Sequence, residues 1–74
     1  MNKERRNKLE ALNARIGELK MELESLKDEE ANYRDMWTLG TIQYTKADSA
    51  AALLENAADS MECAIDEIDG AIND

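Results

Sequence analysis

Histidine, proline and phenylalanine are absent from this 74-residue chain, cysteine occurs once and glycine three times. Without histidine there is no ordinary general base near neutral pH, no His-supported nucleophile and no His-containing zinc set. Cys63 has no second thiol to pair with, so no intrachain disulfide forms, and a lone thiol suits a reducing compartment. Surrounded by Glu62 and Asp66, it reads as an incidental surface thiol. No glycine-rich phosphate cradle occurs. Asp66-Glu67-Ile68-Asp69-Gly70 lacks the acid spacing of an EF-hand loop. The longest apolar run, Ala50 to Leu54, falls far short of the ~20 residues that span a bilayer. Behind Met1-Asn2-Lys3-Glu4-Arg5-Arg6 lies no apolar stretch of the kind a secretory signal needs. The expectation is a soluble, cytoplasmic, non-enzymatic protein with no metal and no cofactor.

Scarcity of glycine and proline leaves a composition rich in Ala, Leu, Glu, Lys and Met, which favours helix throughout. Periodicity says the same. In the first half, Leu9, Leu12, Ile16, Leu19, Leu23 and Leu26 alternate at spacings of three and four, and the register runs on through Glu30, Tyr33 and Trp37. With Leu9 at heptad position a, this is a coiled-coil-type seam with one polar interruption. Gly17 falls outside it, at b. The second half repeats the alternation with Tyr44, Ala47, Ala51, Leu54, Ala58, Met61, Ile65, Ile68 and Ile72. Beside that seam, at g, stands a column of Ala50, Ala57, Ala64 and Ala71. The column either lets another helix approach closely or reflects only alanine's helix propensity.

Between the halves, Gly40 suits the left-handed residue that follows a helix C-terminus. Thr45, with Asp48 three residues on, resembles a capping box, and Thr41 is a rival start for the second helix. A short connection makes consecutive helices antiparallel neighbours. The sequence therefore predicts one all-α domain over 1–74: an antiparallel, coiled-coil-like two-helix hairpin. Helix 1 covers about 3–37, the turn about 38–45 and helix 2 about 46–73. A chain this small supplies at most about 3–5 kcal/mol from one core, so pairing into a homodimeric four-helix bundle is expected.

Charge is unevenly spread. Residues 1–47 carry nine basic and nine acidic groups, and the whole net charge of −8 falls on residues 48–74. An antiparallel hairpin is expected to set Arg5, Arg6 and Lys8 opposite Asp66, Glu67, Asp69 and Asp74. Within helix 2, Asp48, Glu55, Glu62 and Asp69 hold every e position, with Asp59 and Asp66 on the adjacent b column. These acids form either a solvated face or a ridge that occupies a basic groove on a partner. Eight acids over residues 48–74 amount to roughly one charge per 5 Å of helix, against about one per 3.4 Å on a DNA strand. The same charge argues against direct nucleic-acid binding. Tyr33, Trp37 and Tyr44 gather near the turn, as a plug that closes the hairpin's end or as an interface hot spot.

Lys3-Glu4-Arg5-Arg6, then Asp28-Glu29-Glu30 followed by Tyr33 and Asp35-Met36, then Ala64-Ile65-Asp66 with Ile68, Ala71 and Ile72, carry a resemblance. The chain resembles a group of short acidic helical proteins encoded by bacteriophages and prophages. Where that group usually continues with Asn-Met-Pro, this chain has Asp35-Met36-Trp37 and no proline, so its turn is expected to differ. The resemblance implies a phage context, in which small acidic proteins often block host enzymes or defence systems, anti-CRISPR proteins among them. The expected function is binding to a host protein with a basic surface through Tyr33, Trp37, Tyr44, Glu55, Asp59, Glu62, Asp66 and Asp69, without direct nucleic-acid or membrane contact. The alternative is a self-assembling structural module.

Overall fold

A computed structural model describes residues 1–73 and consists of two helices, α1 (Lys3–Asp35) and α2 (Ile42–Asn73), with no strand among the described residues. The helices pack against each other along their length as an all-α hairpin measuring 55 × 15 × 11 Å.

Each helix end has a local cause. Asn2 is extended (φ −77°, ψ 164°), and its Oδ1 accepts the Arg5 N–H at 2.8 Å, which satisfies one of the donors a helix start leaves open. Glu4 in the first turn and Arg34 in the last both suit the helix dipole. At the far end the winding tightens: Met36 N–H donates to the Tyr33 carbonyl at 3.1 Å and Trp37 N–H to that of Arg34 at 3.0 Å. The helix thus stops by shifting to three-residue bonds, two positions before Trp37 and without help from Gly40.

Gly40 does adopt the left-handed region, at φ 94°, but in a different role. It is the third residue of a turn closed by the Thr41 N–H and the Thr38 carbonyl at 3.1 Å, a position that demands positive φ. Thr41 then opens α2. Its Oγ1 accepts the Tyr44 N–H at 3.2 Å and donates to the Thr38 carbonyl at 2.9 Å. Of the two candidate starts Thr41 is therefore the cap, while Thr45 lies inside the helix and donates its hydroxyl back to the Thr41 carbonyl at 3.0 Å. Helix α2 consequently begins about one turn earlier than the capping-box reading suggests.

Burial is slight. Among the described residues only Ala47, Ala51, Ala58 and Ile72, all on the seam of α2, are buried, and no residue of α1 is. Two rods side by side leave each with one neighbour, so most apolar side chains keep a wet side. This geometry, more than chain length, limits the hairpin's own stability.

The three glycines should behave oppositely. A Cβ at Gly17 or Gly70 meets nothing within 4 Å inside a helix, so alanine there should stabilise by up to about 1 kcal/mol each. Gly40→Ala places a side chain at positive φ and should cost about 1–2 kcal/mol. Urea unfolding measures all three, and a Gly40→Ala variant as stable as the parent would contradict the turn.

Candidate protein-interaction site

The rotation of α1 about its own axis decides what the hairpin shows to the outside. On α2 every seam residue from Tyr44 to Ile72 is buried or half-buried, as the periodicity predicts. On α1 the a column, Leu9, Ile16, Leu23 and Glu30, is half-buried too. The d column is not. Leu12, Leu19, Leu26 and Tyr33 are 45, 50, 51 and 46 % exposed. In their place the e column, Arg6, Asn13, Lys20, Lys27 and Arg34, turns toward α2 and is half-buried. The expected α1 seam is thus corrected by one column.

The cause is a polar ladder along one edge of the hairpin. Asn13 Nδ2 donates to Asp69 Oδ1 at 2.8 Å and to the Ile65 carbonyl at 3.2 Å. Seven residues on, Lys20 Nζ lies 3.0 Å from Glu62 and 3.2 Å from Glu24 of its own helix. Two heptads further, Arg34 Nη1 reaches Asp48 at 2.9 Å while its Nε holds Asp35 at 3.0 Å. Each step of seven up α1 is met by a step of seven down α2, as antiparallel heptads require. The remaining rung, Lys27 with Glu55, stays open: Lys27 turns to Asp28 at 3.4 Å, and a cleft of about 280 Å³ lies there. Lysine and arginine stems can lie over apolar surface while their heads reach acids. The alanines of α2 offer such a low surface, so the e column covers them and the bulkier leucines are left to one side.

Charge–charge contacts leave their mark on titration. Hydrogen bonds to Glu62 first, and then Glu24, hold the Lys20 ammonium above its ordinary pKa of 10.5. Asp35 and then Asp48 raise the Arg34 guanidinium likewise. The other expected pairing does not form: Lys8 bonds Glu4 within α1 at 3.3 Å, and Arg6 donates to the Met1 carbonyl at 3.5 Å. Neither Arg5, Arg6 nor Lys8 bridges to α2 among the described residues, and the register places them five to eight positions beyond the Asn13–Asp69 rung. Asp74 lies outside the described residues.

Opposite the ladder runs an apolar edge. Helical geometry, with contact directions fixed by the ladder, places the Leu12, Leu19, Leu26 and Tyr33 column beside the alanine column of α2. Leu12 stands level with Ala71, Leu19 with Ala64, Leu26 with Ala57 and Tyr33 with Ala50. Of those alanines Ala57 and Ala71 are exposed, and Leu53 on the shoulder of the same edge is 65 % exposed. The result is a strip about three heptads long with large side chains along one side and small ones along the other.

The remaining expected contact residues divide between these surfaces. Near the turn, Tyr33 and Trp37 pack edge to face with centroids 6.1 Å apart, and Arg34 sits 5.9 Å above the Tyr44 ring. Tyr33 and Trp37 still expose much of their surface, and Met36, Leu39 and Ile42 beside them are largely exposed, so no sealed plug closes this end. Of the acids, Glu62 and Asp69 are engaged by the ladder, whereas Glu55, Asp59 and Asp66 have no cationic partner among the described residues. Cys63 is exposed. No group of three or more His, Cys, Asp or Glu among the described residues is arranged to hold a metal, and no described helix is long and apolar enough to cross a membrane. Comparisons with protein-family models, with curated proteins and with solved structures find no match. What defines the chain is therefore its geometry, a helical hairpin sealed by a polar ladder on one edge and apolar on the other.

Two outcomes test the ladder. Glu62→Lys should lower the unfolding midpoint and Lys20→Glu added to it should recover part of the loss, with both effects shrinking in 1 M salt. Because the folded state raises the Lys20 pKa, that contribution is complete below 10.5 and fades as pH rises through the raised value. Unfolding followed from pH 9 to 11.5 should show stability falling at the alkaline end in the parent and less so in Lys20→Met.

Proposed function

We propose that this chain is a non-catalytic protein-interaction module that works by covering its leucine–alanine edge with another helical surface. The row of half-exposed Leu12, Leu19, Leu26 and Tyr33 carries this reading. Soluble domains rarely leave an apolar strip of this length bare, and such strips mark places where proteins meet. Trp37, Met36 and Leu39 extend the strip toward the turn and supply side chains of the type that anchor interfaces. Catalysis has no support in the residues: no histidine is present, and the ionisable groups with displaced titration, Lys20 and Arg34, are explained by the ladder.

A second reading follows from the acids that the ladder leaves over. Glu55, Asp59, Asp66 and Glu67 form no ion pair among the described residues, Glu55 standing across the open rung from Lys27, and they suit a partner with a basic groove. This is the mode expected of a phage-encoded protein that blocks or redirects a host protein. It is the weaker of the two, because Asp48 and Glu62 already pair with Arg34 and Lys20, and Asp69 is held by the Asn13 amide, within the hairpin.

The two readings separate in one pull-down from bacterial lysate at 0.1 and 0.5 M salt. Leu19→Glu with Leu26→Glu should abolish every association of the tagged chain, its own copies included, whereas Asp59→Lys with Asp66→Lys should leave them intact at both salts. The opposite pattern, with capture lost at 0.5 M salt, favours the acidic ridge. Undiminished capture by the leucine variant rules out the apolar edge as the working surface.

A further inference from the structure

We infer that the occupant of the leucine–alanine edge is a second copy of this chain, docked face to face by a two-fold axis along the hairpin so that both turns lie at the same end. This rests on the apolar edge being the working surface and adds its partner and geometry. Rotation about that axis sets α1 of each copy on α2 of the other. The bulky column Leu12, Leu19, Leu26 and Tyr33 then meets the second copy's low column Ala71, Ala64, Ala57 and Ala50, level by level and twice over. Large side chains fall on small ones along the whole strip, and the four helices keep one spacing. The shoulders agree. Arg15 lies level with the second copy's Glu67, and the exposed Leu53 comes against the second copy's α1 near Leu26 and Glu29.

Area and charge both support this occupant. The face of the hairpin, 55 × 15 Å, gives a footprint of roughly 800 Å², which is what each partner contributes to a stable interface. The competing arrangement turns one hairpin end for end, pairs Lys8 with Glu29 and Arg15 with Glu22, and stacks α1 on α1 and α2 on α2. It also sets two α2 helices, each with seven carboxylates and the single base Lys46, at neighbour distance. Neighbouring helices lie about 8–10 Å apart, close to one Debye length at physiological salt. In the turns-together arrangement the two α2 helices are diagonal, at roughly 13 Å, with an α1 of eight bases and nine acids between them on either side. Full overlap also covers Tyr33, which the reversed arrangement leaves near its ragged ends.

Sedimentation equilibrium and a spin-label distance test the proposal together. With Leu39→Cys labelled in a Cys63→Ser background, the expected result is a dimer and one intermolecular distance below about 25 Å. A dimer with a distance of about 50–60 Å overturns the arrangement, and a monomer at 100 µM overturns the second copy as occupant. Ala57→Arg with Ala71→Arg, both exposed in the single hairpin, should weaken dimerisation at least tenfold while lowering the net negative charge; unchanged association contradicts the proposal. Failure here while the leucine pair still abolishes capture of other proteins removes the second copy and leaves the interaction surface standing.

Discussion

The ladder of Asn13, Lys20 and Arg34 on Asp69, Glu62 and Asp48 sets the rotation of α1, and most of what the hairpin presents follows from that rotation. Each exposed pair contributes little on its own. Their effect is directional: heptad spacing on both helices makes the pairs register together in one antiparallel alignment and no other within a turn. Were α1 turned by one column, the leucines would enter the contact and the basic side chains would lose their acids. The hairpin as it stands keeps its charges matched at the edge and leaves its apolar column uncovered.

This trade is the ground for the proposed interaction edge. A two-helix hairpin with four buried residues among those described, three of them alanine, has little core to stand on. In the proposed dimer a second layer of helices over Leu12, Leu19 and Leu26 converts a wet strip into a true interior, which makes association and stability one quantity. The acids that remain outward on α2 would oppose further stacking of the proposed dimer.

How far the sequence discloses this can be judged residue by residue. The two helices, the seam of α2 and the reversal between them are legible, since 3-4 alternation in α2 survives intact from Tyr44 to Ile72. The cap at Thr41 is visible as one of two options, and the hydroxyl's bond to Tyr44 N–H decides between them. What the hydrophobic pattern hides is the α1 interface. Leucine at d looks like seam, and only the matching columns of basic e residues on α1 and acidic e residues on α2 signal that another face is turned inward. That signal is present in the sequence as two seven-residue series of opposite sign. It is overshadowed by the denser basic cluster at Arg5, Arg6 and Lys8, which ends up paired within α1 or beyond reach of Asp69.

The most direct test of that rotation is the set of nuclear Overhauser contacts of the Asn13 side-chain amide in the labelled chain. The account predicts contacts from this amide to Ile65 and Asp69 within one chain, alongside contacts of the Leu12 and Leu19 methyls with Ala71 and Ala64. Contacts from those leucine methyls to Ile65 of the same chain, with the Asn13 amide seeing only water, would contradict it.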